Sequence, residues 1–293
     1  MSDPITGSFD SENPRPEQID VFGLTHQGRV RKNNQDQFLI STVHPQVVIH
    51  STSLTEPERL PLRGTRLGTV LILADGVGGA AAGNEASRLA TEATMTYISS
   101  TLRSYHAAGS AIEEELLDSL KAAALEAHQR VKAESAKRTD NRHMATTLMI
   151  CIIVWPWAYV VQVGDSRAYF FDDDHLTLLT RDQTIAQALV DQGIMPADRL
   201  PHSPLKHVLS SAIGADAALP VVTRFDIGNR GSCILMCSDG LTKHVADDEL
   251  EDYMRNMKNS EQVVRDLLQL TLDRGGSDNV TIIAARALPA PIL

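Results

Sequence analysis

The sequence predicts an α+β protein in one domain, with antiparallel sheets that carry helices packed on their outer faces. Three observations predict it. Strand-sized apolar runs come in neighbouring blocks instead of alternating one for one with helices. Pairs of helical stretches separate those blocks. The 293 residues, 43% hydrophobic and 22% charged, also suit one large domain or two small ones. No internal repeat is visible.

Taken in order, Met1 to Gln18 is polar, contains Pro4, Pro14 and Pro16, and is expected to be a disordered leader spanning 1–18. The folded domain is expected over 19–288, starting with the alternating strand Ile19 to Thr25 and a second strand, Phe38 to Val43. Between His44 and Gly68 the segment is broken by Pro45, Pro57, Pro61 and Gly64, so 44–68 reads as an insertion. Thr69 to Ala74 is a continuous apolar strand stopped by Asp75-Gly76-Val77-Gly78-Gly79, a turn that calls on glycine's backbone freedom.

A helix is predicted from Asn84 to about His106. A second starts at the capping-box pair Ser110 and Glu113 and is marked by Ile112, Leu116, Leu120, Ala123, Ala127 and Val131 at spacings of three and four. Ala145 to Val154, Ala158 to Val163 and Arg167 to Phe171 read as an antiparallel meander turning at Gly164-Asp165. Strands Val221 to Ile227 and Cys233 to Cys237 precede helices near Asp247 to Met257 and Glu261 to Leu272. Gly275-Gly276 stops the last helix before a final strand, Val280 to Arg286.

Composition excludes several classes. No apolar run approaches the ~20 residues needed to cross a bilayer, so no membrane insertion is expected. No basic region followed by an apolar core marks a signal peptide, which predicts a cytoplasmic location. Three cysteines, an odd number, argue against a disulfide framework. With 27 Lys and Arg against 37 Asp and Glu, a net charge of -10 and no basic cluster disfavour nucleic-acid binding.

The chemistry is read from the placement of the acids. Asp75, Asp165 and Asp239 each end an apolar strand, and Asp278 opens the last one. A single Asp beside Gly is most often a turn residue. Four at strand ends are different, because converging carboxylates repel one another unless cations neutralise them, and hard oxygen donors select magnesium, manganese or calcium. Zinc competes poorly: Cys233 and Cys237 face the same way, but no further Cys or suitably spaced His completes a tetrahedral set. The Gly76, Gly78 and Gly79 cluster lacks the Lys and Ser/Thr of a P-loop. No nucleophilic serine elbow or reactive-cysteine signature is present, so a metal-activated water is the natural nucleophile.

The order of motifs resembles the metal-dependent serine/threonine protein phosphatases of the PPM, or type 2C, family. Gly28-Arg29-Val30-Arg31-Lys32-Asn33-Asn34-Gln35-Asp36 is similar to the family's opening motif, and Asp75-Gly76-Val77-Gly78-Gly79 to its metal-binding turn. Ala145-Thr146-Thr147, Val163-Gly164-Asp165-Ser166-Arg167-Ala168-Tyr169 and Leu179-Thr180-Arg181-Asp182 follow. Leu209 to Gly214, Ser238-Asp239-Gly240-Leu241 and Asp278-Asn279-Val280-Thr281 complete the series. The resemblance covers nearly all of Ile19 to Arg286.

That resemblance implies a four-layer αββα sandwich of two antiparallel β-sheets flanked by helix pairs. It also implies a centre of two Mg2+ or Mn2+ ions, with a weaker third, that hydrolyses phosphoserine and phosphothreonine in proteins. Asp75 would bridge both metals, the Gly76 carbonyl would help hold one, and Asp239 and Asp278 would hold the other. Asp165 would hold the third, Asp36 would act through metal-bound water, and Arg31 would bind phosphate with its planar fork. Val77 stands where many eukaryotic members carry His, as in bacterial members, and implies a bacterial signalling phosphatase opposing a serine/threonine kinase. Gln183 stands where relatives often carry His, at the head of a flap-like segment, 183–213. A partner-switching phosphatase acting on one small regulatory protein and a phosphoprotein-binding pseudoenzyme are the alternatives, the latter opposed by the complete acidic set.

Overall fold

The computed structural model describes residues 14–44, 46, 66–78, 80–107, 113–138 and 144–288. Residues 1–13, most of the predicted insertion and Ser110 of the predicted capping box lie outside them. Two antiparallel sheets face each other. The first takes β1 (Ile19–His26), β11 (Val280–Ala287), β10 (Cys233–Cys237), β7 (Arg167–Asp172) and β8 (His175–Leu178) in that spatial order. The second takes β2 (Asp36–Val43), β3 (Gly68–Val77), β5 (Leu148–Val154), β6 (Trp157–Val163) and β9 (Val221–Asp226), with β4 (Ala145–Thr146) added beside β3.

The apolar runs that do not alternate are explained by burial on both faces. Along β3 and β5, Val70, Ile72, Ala74, Ile150 and Ile152 point outward into a core shared with α1 (Ala80–Ala107) and α2 (Glu113–Ser135). Leu71, Leu73, Met149 and Cys151 point inward and meet Ala168, Ile234, Met236 and Ile283 of the opposite sheet. On the far side, Cys233, Leu235, Cys237, Ile282 and Ala284 pack against α5 (Asp247–Arg255) and α6 (Ser260–Asp273) through Leu250, Met254, Val263, Val264 and Leu267. Helix pair, sheet, sheet and helix pair make the expected four layers. Each fully buried Leu or Met contributes on the order of 1.5–3 kcal/mol, and truncating Leu71 to Ala would cost about 2–5 kcal/mol.

The helical periodicity of α2 is accurate: Leu116, Leu120, Ala123, Ala127 and Val131 are all buried. Three details correct the sequence reading. Helix α1 begins at Ala80, before Asn84. The predicted strand Ala145 to Val154 is interrupted at Thr147, whose backbone N–H turns to the Asp75 carbonyl. The expected meander is not one sheet, because the chain leaves the second sheet after β6 and enters the first with β7. Gly164 makes this crossover at φ 109, where a Cβ would strike the Thr147 side chain.

Pro14 to Gln18, within the expected leader, is structured. Pro16–Gln18 form a 3-10 turn, the Pro14 carbonyl accepts from Arg66, and the Gln18 carbonyl accepts from the Leu288 N–H. All three cysteines are buried free thiols, pushed up to about 12 by burial, so they act as packing groups.

Candidate metal centre and phosphate cleft

A cleft of about 840 Å3 opens at one end of the two sheets, where Arg31, Asp75, Gly76, Asp165, Asp239, Lys243 and Asp278 line it. Strand ends deliver these groups. Asp75 lies near the end of β3, directly opposite Asp36, the first residue of β2. Asp165 sits at the β6–β7 crossover, Asp239 opens α4 (Asp239–Thr242) just after β10, and Asp278 precedes β11.

Short polar bonds hold the Asp75 backbone and the Asp36 side chain. The Asp75 N–H donates to Thr147 Oγ1 at 3.0 Å, and its carbonyl accepts from Thr146 Oγ1 at 2.8 Å and from the Thr147 N–H at 2.8 Å. Thr147 Oγ1 also meets Ser166 Oγ at 2.9 Å, which ties the Asp75 strand to the Asp165 corner. Asp36 Oδ2 accepts from Ser238 Oγ at 2.9 Å and Thr281 Oγ1 at 2.7 Å. Asp36 Oδ1 is buried with no hydrogen-bond partner among the described residues. Asp36 is not part of the cleft wall but lies behind it, 2% exposed.

The loop bearing Arg31 is anchored by Asn279. Its Oδ1 accepts from the Gln35 N–H, and its Nδ2 donates to the carbonyls of Gln27 and Asn33, each at 2.9 Å. Gly28 at φ 78 lets the loop approach so closely that a Cβ there would strike the Asp278 carbonyl oxygen. Arg31 closes its fork on Asp278, Nε to Oδ1 at 2.7 Å and Nη2 to Oδ2 at 2.8 Å. The Arg31 guanidinium remains half exposed. Lys243 Nζ lies 2.6 Å from Asp239 Oδ2 and 2.7 Å from Asp278 Oδ2.

Electrostatics follow from this crowding. Burial, with the charges of Asp36, Asp239, Asp165 and Asp278, pushes the Asp75 carboxyl well above its ordinary value. Burial and then Asp239 push Asp165 up to about 7. Asp36 rises to about 6, chiefly through burial, which outweighs its two hydroxyl hydrogen bonds. Asp278 behaves differently: burial would raise it, but Arg31 and Lys243 outweigh burial and hold it below the usual carboxylate range.

This donor set fits hard divalent cations. All the strand-end donors are oxygens, the buried acids disfavour one another's charge, and an orphaned carboxylate oxygen of Asp36 faces no donor. Oxygens of Asp165 and Asp239 and a ring nitrogen of His207 lie within 4.8 Å of one another, a set able to hold one cation.

The structure brings together Arg31, Asp75, Gly76, Asp165, Asp239 and Asp278 and sets Asp36 behind them. Sequence reasoning missed His207, Lys243 and the bonds of Gln183. Lys243 had a legible signal, four residues after Asp239. His207 had none, because only the fold of 183–213 carries it to the cleft. Gln183 Oε1 accepts from the Gly164 N–H and Nε2 donates to the Leu219 carbonyl, both at 2.9 Å, fastening that segment beside the Asp165 corner.

A family model described as Protein phosphatase 2C matches residues 62–278. The chain is 32% identical over 222 residues to the serine/threonine protein phosphatase PstP of Mycobacterium tuberculosis, covering 76% of this chain and 40% of PstP. It therefore spans about two-fifths of the length of that relative. It is 28% identical over 214 residues to the serine/threonine phosphatase stp of Listeria welshimeri, covering 73% of this chain and 82% of stp. A crystal structure of the PstP catalytic domain in complex with two manganese ions superposes with a TM-score of 0.69 at 26% identity, covering 92% of this chain and 99% of that one. The chain belongs to the protein phosphatase 2C family.

Proposed function

We propose that the cleft is the active site of a metal-dependent phosphatase that hydrolyses phosphoserine and phosphothreonine in proteins. The observation that carries this reading is the convergence of Asp75, Asp165, Asp239 and Asp278 on one cleft, with Asp36 behind and Arg31 in its wall. Family membership and the two manganese ions in the PstP catalytic domain support it. Asp75 and the Gly76 carbonyl would hold one Mg2+ or Mn2+, Asp75, Asp239 and Asp278 a second, and Asp165 a weaker third. When bound, such cations activate water and offset phosphoryl charge.

The remaining work belongs to the chain's own side chains. The Arg31 fork, already aligned on a carboxylate, suits two oxygens of a phosphoryl group and orients it. The Asn279 bonds keep the Arg31 loop in register with Asp278. Asp36, held by Ser238 and Thr281, fixes a negative charge behind Asp75. Val77 carries no proton, so the departing Ser or Thr oxygen takes its proton from another donor. In the cell the substrates would be phosphoproteins made by a serine/threonine kinase in a cytoplasmic signalling pathway. Among the described residues no helix is long and apolar enough to cross a membrane.

The test is hydrolysis of a phosphothreonine peptide by chelator-treated protein before and after Mn2+ or Mg2+ is restored. Activity should vanish with chelator and return with metal. Full activity in metal-free protein would overturn the reading.

A further inference from the structure

Among the described residues, Lys243 is the one ammonium lining this cleft. Its Nζ bridges Oδ2 of Asp239 and Oδ2 of Asp278, at 2.6 and 2.7 Å. The side chain is 22% exposed, and its backbone N–H donates to the Asp239 carbonyl, so it folds back over the α4 turn that presents Asp239. Asp278 is then fully engaged. Oδ1 accepts from Arg31 and from the Asn279 N–H, and Oδ2 from Arg31 and Lys243. A cation that takes Oδ2 of both Asp239 and Asp278 as ligands meets the ammonium already there.

We propose that Lys243 is a built-in counter-ion that competes with divalent metal for Asp239 and Asp278, so that metal binds at that half of the cleft only by displacing its ammonium. The inference rests on the metal-site reading above. A divalent cation on Oδ2 of Asp239 and Oδ2 of Asp278 would stand where Nζ now lies and add two charges beside those of Lys243 and Arg31, a repulsion that a partly buried site does not screen away as bulk water would. Lys243 has the flexible stem to swing aside toward solvent, which a short side chain would lack. Metal affinity on that side is thereby lowered, while the acidic cluster keeps a compensating charge at every stage. Among the described residues Lys243 bonds only Asp239 and Asp278 of the cleft acids, so its direct competition falls on that side, while Asp165 feels its charge at longer range.

The experiment is a calorimetric Mn2+ titration of the full chain, wild type against Lys243→Gln and Lys243→Arg, with free Mn2+ counted in parallel by electron paramagnetic resonance. Gln keeps a donor but removes the charge, whereas Arg keeps the charge. Lys243→Gln should tighten one class of Mn2+ site on the order of tenfold or more, and Lys243→Arg should not. In chelator, Lys243→Gln should melt below wild type, and saturating Mn2+ should close or reverse the gap. Should Lys243→Gln unfold in chelator, the buffered Mn2+ concentration at which it refolds gives the same comparison.

Unchanged or weaker Mn2+ binding by Lys243→Gln would overturn the competition, as would equal tightening by Lys243→Arg. Absence of Mn2+ binding to the wild-type protein would instead overturn the metal-site reading itself, so the two failures are distinguishable.

Discussion

Asp36 and Asp75 stand directly opposite each other on β2 and β3, one buried behind the cleft and the other in its wall. Two carboxylates at facing positions of neighbouring strands repel; hydroxyls hold one oxygen of Asp36, and burial with the Asp36 charge pushes the Asp75 carboxyl well above its ordinary value. Asp36→Asn removes a buried charge with little change of shape. The chelated variant should melt roughly 2–4 °C above chelated wild type, and its further gain on adding Mn2+ should shrink. Differential scanning calorimetry in chelator and in Mn2+ checks both. A lower melting temperature in chelator would show that the charge is already compensated within the protein.

Gln183 fastens the 183–213 segment through the Gly164 N–H and the Leu219 carbonyl. Gln183→Ala leaves both groups without that partner, and each lost bond costs about 0.5–1.5 kcal/mol. Hydrogen exchange should accelerate over 183–213 and at Gly164, and KM for a phosphopeptide should rise more than KM for an aryl phosphate. Unchanged exchange would mean that the segment is held by other contacts, such as the Ile185–Val208 backbone bond.

Asp165→Ala separates a peripheral ligand from a primary one. Two tightly bound Mn2+ ions should remain, and kcat should fall most for phosphoserine and least for an activated aryl phosphate, because Val77 offers the leaving group no proton and a water held at Asp165 would have to supply it. Equal slowing of both substrates would remove the leaving-group role, and loss of the tight ions would place Asp165 in the primary site.

His128 on α2 offers a pH test at a group that does not line the cleft but holds the backbone at Gly214, between the lining residues Ala212 and Ala215. Its Nδ1 accepts from the Gly214 N–H at 3.1 Å, and burial followed by the Lys132 charge lowers its pKa. The neutral form is favoured in the folded state, so its contribution is present above the ordinary value near 6.5 and is lost as pH falls through the depressed folded value. His128→Asn retains an acceptor that does not titrate. Between pH 7.5 and 5, wild type should lose more melting temperature than His128→Asn, and parallel curves would remove His128 from the account.

Much of the architecture is legible because local rules and tertiary packing agree. The helical spacing of Leu116, Leu120, Ala123, Ala127 and Val131 matches the buried face of α2, and β10 runs over the predicted Cys233 to Cys237. The crossover at Gly164 is not legible, since a tight hairpin and a change of sheet use the same Gly-Asp corner. Short elements such as α3 (Ile185–Asp191) and β8 carry too little periodicity to register. In the cleft, strand-end acids announce themselves by position. Lys243 and His207 act through contacts that only the assembled fold creates.

Asp239 faces the cleft, pairs with Lys243 and shares the His207 and Asp165 cluster, so metal-dependent hydrolysis should depend on it more than on any other single acid. The measurement is turnover of a phosphothreonine peptide by Asp239→Asn at saturating Mn2+, with folding verified by circular dichroism. Turnover should fall at least ~100-fold relative to wild type. A folded Asp239→Asn protein with near wild-type turnover would contradict that dependence.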